Sequence, residues 1–106
     1  MVIMKVKVEL WLWLGKELNE DFRSLSDMRS ELEIKLEEDT TIGKLFDQLA
    51  ERYPIIEGKV FNRGKQIFYE NIVLTFNEKV ISPYKVYETI LKEGDKIIVL
   101  PVYTGG

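Results

Sequence analysis

The segment Asp39–Pro54 reads DTTIGKLFDQLAERYP and decides the class of fold. Asp39-Thr40-Thr41 is a helix-start signal, because a Thr or Asp oxygen can accept a hydrogen bond from an unpaired N–H of the first turn. Pro54 is expected to end the helix, because proline lacks an N–H and restricts the residue before it. The apolar residues between these signals recur at the spacing of one helix face, and they are Ile42, Leu45, Phe46, Leu49 and Tyr53. The segment therefore predicts one amphipathic helix that lies across one sheet.

Two segments before this helix alternate between apolar and polar residues, which is the pattern of a half-buried strand. Met4–Leu14 is apolar at every second position, and Glu31–Glu37 alternates without interruption. Gly15–Ser30 lies between them and is polar, and we interpret it as an elaborated connection within a hairpin. Three of its apolar residues, Phe22, Leu25 and Met28, are spaced by three, which allows one or two helical turns.

A second hairpin is predicted after the helix. Asn71–Phe76 and Lys79–Ser82 are strand-like, and Asn77-Glu78 between them suits a tight turn because Asn tolerates a positive φ. The preceding Ile55–Glu70 is less regular, with a turn expected at Asn62-Arg63-Gly64.

The last strand is predicted at Lys96–Val102, after the turn signal Glu93-Gly94-Asp95. Its Ile97–Leu100 is apolar on both faces, which indicates a central strand covered on both sides, or a strand with one face covered by a partner. Together these elements predict a two-layer α+β domain. We expect residues 1–106 to form this single domain, because about one hundred residues suit one modest core.

The composition excludes several kinds of chemistry. The 106 residues include no His and no Cys. Thiolate nucleophiles, disulfides, zinc fingers and imidazole bases are therefore unavailable. The glycines are scattered and form no phosphate-binding loop, and no Ser can be paired with a His base. We expect a protein that is not itself an enzyme and that binds neither a metal nor a tightly held cofactor.

Charge and hydropathy bear on the partners. The chain has 15 Lys and Arg against 18 Asp and Glu, which argues against a nucleic-acid partner. No apolar stretch is long enough to span a membrane, and the early Lys residues interrupt any signal-peptide core. A cytoplasmic location is expected.

Two clusters have competing interpretations. Glu37-Glu38-Asp39 could bind a hard cation, but acids beside a helix N-terminus are more often explained by the helix dipole. Trp11 and Trp13 fall on the outer face of the first strand. They mark a partner surface, or else the 15–30 connection folds over and covers them.

The sequence ends in Gly105-Gly106, directly after the last strand and a short segment, 102–106, that we expect to be a flexible tail. Residues without a Cβ can enter a channel too narrow for any side chain. The preceding sheet would aim the Gly106 carboxylate outward. A frayed terminus without a role is the alternative.

The sequence resembles the ubiquitin-like sulfur-carrier family, which includes the small subunit of molybdopterin synthase (MoaD) and the thiamin sulfur carrier (ThiS). The resemblance lies in TILKEGDKI at Thr89–Ile97, in LPVYTGG at Leu100–Gly106, and in the Val73–Val80 hairpin. It implies a β-grasp fold, with a mixed sheet of four to five strands and one main helix packed across it. Val102 stands where the molybdopterin branch has a second proline, so the pathway is left open.

The resemblance also implies a chemistry and its partners. An adenylyltransferase similar to ubiquitin-activating enzymes would use ATP to adenylate Gly106, and a sulfur donor would convert the product to a thiocarboxylate. The sulfur would pass to an acceptor enzyme, of the molybdopterin synthase large-subunit type or the thiazole synthase type. Gly105 and Gly106 would enter the partner's site. The contacts with partners would come from Ile98, Leu100, Val102, Tyr103 and Thr104.

Two other functions stay open. The first is a ubiquitin-like modifier joined through Gly106 to Lys of target proteins, and the second is a β-grasp interaction module or complex subunit without sulfur chemistry. Ile98, Leu100 and Val102 share one face of a strand, and they could equally be ordinary core residues.

Overall fold

The computed structural model describes residues 2–11, 22–26 and 28–102. The first strands are β1 at Ile3–Trp11, β2 at Arg23–Ser24 and β3 at Arg29–Glu37, and the helices are α1 at Ile42–Arg52 and α2 at Pro54–Lys59. The later strands are β4 at Phe61–Asn62, β5 at Ile67–Phe68, β6 at Ile72–Phe76, β7 at Lys79–Ile81 and β8 at Lys96–Pro101. A single turn of 3-10 helix occupies Pro83–Lys85.

The main helix begins and ends where the sequence predicts. The Thr41 side chain accepts a hydrogen bond from the Lys44 N–H at 3.2 Å, which caps the first turn. Pro54 ends α1 but also opens α2, because its fixed φ suits the first position of a helix. The short second helix was not predicted.

The main sheet has six strands in the order β2-β3-β1-β8-β6-β7. The predicted four to five strands were too few, because β2 adds a strand to the edge of β3. β8 runs parallel to β1 and antiparallel to β6, so the sheet is mixed and β8 is central, as predicted. β4 and β5 form a separate two-stranded hairpin around the expected turn at 62–64.

The 15–30 connection is described from residue 22 except for residue 27, and there it differs from the prediction. Arg23 and Ser24 pair with β3 instead of forming a helical turn. The Leu25 and Ser26 N–H groups bond to the Arg29 carbonyl and close the turn. Residues 12–21 and 27 lie outside the described part, so the predicted extension of the first strand to Leu14 stays a prediction.

The core lies between the sheet and the helices. The inner residues of β1 pack under α1, and Phe46, Phe61 and Phe68 form an aromatic group with centroid distances of 4.7 to 6.1 Å. Phe22 is buried on this side too, with its ring 5.0 Å from that of Tyr53. The core therefore occupies one face of the sheet, and no helix formed by residues 2–11, 22–26 and 28–102 covers the opposite face, which we call the outer face.

Candidate functional site

The outer face of the sheet carries apolar side chains beside the point where the chain leaves β8. Ile97 and Val99 are buried in the core, whereas Ile98 and Leu100 point the other way and are half-buried. The alternative that Ile98 and Leu100 are core residues therefore does not hold. Val102 is 41% exposed, and its N–H donates to the Asn71 carbonyl at 2.8 Å. This bond holds Val102, the last described residue, beside the start of β6.

Neighbouring strands enlarge this apolar surface. Val73 lies opposite Leu100, and Thr75 lies opposite both Ile98 and Val80 in the register. Val80 is 76% exposed. We call this set the apolar patch, and its members are Val73, Thr75, Val80, Ile98 and Leu100. The sequence analysis missed the β6 and β7 members, although the alternation of Asn71–Phe76 places Val73 and Thr75 on the face opposite Ile72 and Leu74.

Tyr103, Thr104, Gly105 and Gly106 lie outside the described residues, as does the predicted flexible tail beyond Val102. Their predicted roles therefore stay predictions. The described part of the site consists of β8, its neighbours and the exit at Val102.

The turn before β8 is held by a buried carboxylate. Asp95 accepts hydrogen bonds from the Asn77 side-chain amide at 2.9 Å and from the Lys92 N–H at 2.7 Å. Gly94 has a φ of 85°, a conformation that glycine adopts without strain. Asn77 also accepts from the Lys96 N–H through its side chain. These bonds join the β6–β7 turn to the start of β8, which gives a physical reason for the Gly-Asp pair in this position.

Replacing Asp95 with Ala should destabilise the fold. The substitution leaves the Lys92 N–H and the Asn77 amide without their acceptor, and we expect it to lower the free energy of unfolding by about 2 kcal/mol. Urea denaturation followed by circular dichroism measures this. Glu70→Ala removes an exposed carboxylate as a control, and equal stability of the two variants would contradict the role of Asp95.

Glu9 is the second buried carboxylate, and it lies on the outer face beside Ile98. Its side chain is fully buried among polar partners. It accepts from Arg29 Nε at 2.6 Å and from Trp11 Nε1 at 2.7 Å, and it forms an ion pair with Lys96 Nζ at 3.0 Å. Burial acts to raise the pKa of Glu9, but the bonds from Lys96 and Arg29 outweigh it and hold the pKa below its ordinary value of 4.5.

Trp11 has a structural role in this cluster. Besides bonding Glu9, its ring lies under the Arg29 guanidinium, 4.7 Å from centroid to Cζ. Arg29 belongs to the 15–30 connection, so this connection does cover one face of Trp11, whereas Phe22 packs on the helix side instead. Trp13 lies outside the described residues, so its exposure stays open.

The Glu9 cluster makes stability depend on pH. Because the folded-state pKa is lowered, the stabilisation is present above pH 4.5 and is lost as the pH falls through the folded-state pKa. Wild type should therefore be more stable than Glu9→Gln near neutral pH, and the difference should shrink as the pH falls below 4.5 and through the folded-state pKa. Denaturation curves across this range measure the difference. Glu33→Gln, on the same face, controls for the lost charge, and a difference independent of pH would contradict the prediction.

The described residues show neither a metal site nor a membrane-spanning helix. Among residues 2–11, 22–26 and 28–102, no group of three or more acidic residues is placed to hold a metal ion. No helix in these ranges is long and apolar enough to cross a membrane. Asp39 precedes the helix cap in a turn with a φ of 69°.

Three solved structures show the same fold as this chain. The solution structure of small archaeal modifier protein 1 from Methanosarcina acetivorans is 24% identical, covers 100% of both chains and superposes with a TM-score of 0.67. A putative molybdopterin converting factor subunit 1 from Pyrococcus furiosus is 22% identical over 94% of this chain and 99% of that one, with a TM-score of 0.63. The BexX/CysO complex of Amycolatopsis orientalis matches at 19% identity over 95% and 99%, with a TM-score of 0.61. The β-grasp prediction is therefore confirmed.

Sequence comparison identifies the family. No functionally curated protein matches the chain. The profile of the ThiS family matches residues 17–106, which include the Gly-Asp turn, the central β8 and the Gly-Gly end. The chain therefore belongs to the ThiS family, a group of small ubiquitin-like carrier proteins.

Proposed function

We propose that this protein is a sulfur carrier, not an enzyme, and that the sulfur is held as a thiocarboxylate on Gly106. The observation that carries the proposal is the geometry of the exit. β8 is a central strand of the sheet, and the bond from Val102 to Asn71 holds the last described residue at the end of β8, the strand that carries Ile98 and Leu100 of the apolar patch. A partner enzyme that binds the apolar patch would lie near the end of β8 and Val102, after which four more residues lead to the terminal carboxylate.

The chemistry proceeds on the main chain. A carboxylate is a poor electrophile, and an activating partner uses ATP to form the acyl adenylate of Gly106 with release of pyrophosphate. A sulfur nucleophile then displaces AMP and leaves the thiocarboxylate. The absence of Cys and His from the sequence fits this division of labour, because the carrier supplies only its carboxylate.

The partners fall into two classes. The first is an adenylyltransferase similar to ubiquitin-activating enzymes, and the second is an acceptor enzyme of the molybdopterin synthase or thiazole synthase type. Both would contact Ile98, Leu100 and Val102, together with Tyr103 and Thr104. A protein of this fold, CysO, is found in complex with BexX, which supports docking as the mode of action.

Mass spectrometry tests the proposal directly. The purified chain is incubated with the activating enzyme from its own organism, ATP and sulfide, and the intact mass is measured. The expected result is a mass gain of one oxygen-to-sulfur exchange, located on Gly106 by fragmentation. An unchanged mass with an enzyme that activates another carrier under the same conditions would overturn the proposal.

Conjugation to proteins is the second candidate, because three of the structural neighbours are described as small archaeal modifier protein 1 or SAMP1. It uses the same adenylate but transfers Gly106 to a Lys amine. The expected products are higher-mass conjugates that survive reductant, with an isopeptide bond to Gly106. If the thiocarboxylate forms but native cells contain no such conjugate, the conjugation function is excluded and the sulfur-carrier function stands.

A further inference from the structure

A group of lysines shares the outer face with the apolar patch. Lys5 lies directly opposite Lys35 in the antiparallel pair of β1 and β3, and Lys7 lies opposite Lys96 in the parallel pair of β1 and β8. Lys5 and Lys7 are two residues apart and point to the same side of β1. We call these four residues the lysine ladder. Lys96 joins it to the patch, because Ile98 follows two residues later on the same face.

This arrangement costs stability. Like charges directly opposite each other on a sheet repel, and the effect is unfavourable by some tenths of a kcal/mol for each pair. In a chain with more acidic than basic residues, the register could have placed a carboxylate opposite Lys5.

Three of the four ammonium groups of the lysine ladder form no ion pair within the described part of the chain. Lys5, Lys7 and Lys35 are exposed, and none of them forms an ion pair with a described residue. Carboxylates do share this face, since Glu33 lies opposite Lys7 and Glu31 lies opposite Glu9. Lys96 pairs with Glu9, which is shared with Arg29.

We propose that the lysine ladder docks onto an acidic surface of the enzyme that activates Gly106. The inference rests on the proposed function and adds the charge of the partner to it. The apolar patch supplies contact area, and the ladder supplies orientation and rate of encounter, which is the usual contribution of complementary charge. The uncompensated lysines then serve binding at a small cost to folding.

Charge reversal separates binding from stability. Lys35→Glu places a carboxylate opposite Lys5 but also between Glu33 and Glu37 on the same face, and Lys5→Glu places one opposite Lys35, so each variant should be about as stable as wild type. Each should nevertheless raise the KM of the activating enzyme for this protein by about tenfold, because a repulsive charge faces the acidic surface. A residue that mattered only for folding would change the free energy of unfolding. These variants should instead raise KM while their stability stays about that of wild type.

The experiment measures pyrophosphate release by the activating enzyme against carrier concentration at low and high salt. Wild type should lose its advantage over Lys35→Glu as salt rises, because screening weakens exposed charge contacts. Lys44→Glu, on the helix side, is the matched control and should keep the wild-type KM. Equal KM values for Lys35→Glu and Lys44→Glu would overturn the acidic surface while leaving sulfur transfer intact. A wild-type chain that is not activated at all would overturn both proposals.

Discussion

Replacing Gly106 with Ala is expected to reduce the rate of thiocarboxylate formation by about a hundredfold, and deleting Gly106 is expected to abolish it. A Cβ next to the reacting carboxylate displaces it within a narrow channel, and a shift of about 1 Å in a reacting atom can cost about two orders of magnitude. Intact-mass spectrometry over time, with the activating enzyme, ATP and sulfide, measures the rate.

The matched control for this variant is Gly58→Ala. Gly58 lies in α2, and an added Cβ there would meet no atom within 4 Å, so the same chemical change falls far from the proposed chemistry. Gly106→Ala should unfold at the same urea concentration as wild type, and Gly58→Ala at the same or a slightly higher one, because Ala favours a helix over Gly. Normal thiocarboxylate formation by Gly106→Ala would show that the tail does not enter a restrictive site.

The elements that a local pattern specifies were predictable from the sequence. The helical spacing of apolar residues and the Thr cap correctly predicted α1. Asn77-Glu78 correctly predicted a tight turn, in which the two residues have positive φ values of 50° and 74°. The continuous apolar run at Ile97–Leu100 correctly indicated a central strand. In each case the information lies within a few residues.

The features that were missed depend on contacts distant in sequence. Arg23 and Ser24 are polar and exposed, so no alternation marks β2, and its pairing with β3 creates the strand. Glu9 reads as an exposed residue in an alternating strand. Its burial depends on Arg29 and Lys96, which the sheet order brings to either side of it. The pattern of a single sequence reveals neither the pairing of β2 with β3 nor the contacts of Glu9 with Arg29 and Lys96.

In the candidate site, too, local patterns were predictable and contacts between distant residues were not. The sequence identified Ile98 and Leu100, but it could not tell a partner surface from a core, because both need apolar side chains. In the structure Ile97 and Val99 are buried in one core with the apolar face of α1, whereas Ile98 and Leu100 lie half-buried on the other face of β8, so they are not core residues. The lysine ladder likewise depends on register, since Lys5 and Lys35 become neighbours only when β1 and β3 pair.

Replacing Ile98 with Asp should weaken binding of the activating enzyme by about 2 kcal/mol, or roughly thirtyfold in Kd, while the carrier stays folded. Ile98 lies at the centre of the apolar patch, between Glu9 on β1 and Thr75 on β6. Docking would bury the new carboxylate without a partner and would also lose the apolar contact. The existing Glu9 adds a like charge beside it.

Ile67→Asp is the control for this effect. Ile67 is 51% exposed, but it lies in the β4–β5 hairpin outside the main sheet. Calorimetry or biolayer interferometry with the activating enzyme should therefore give the wild-type Kd for Ile67→Asp and a weaker one for Ile98→Asp. Equal losses in both variants would point to a general effect of added negative charge and would contradict the patch as the docking surface. Loss in Ile98→Asp alone, with normal unfolding, would assign partner recognition to the face of β8 that the helix leaves uncovered.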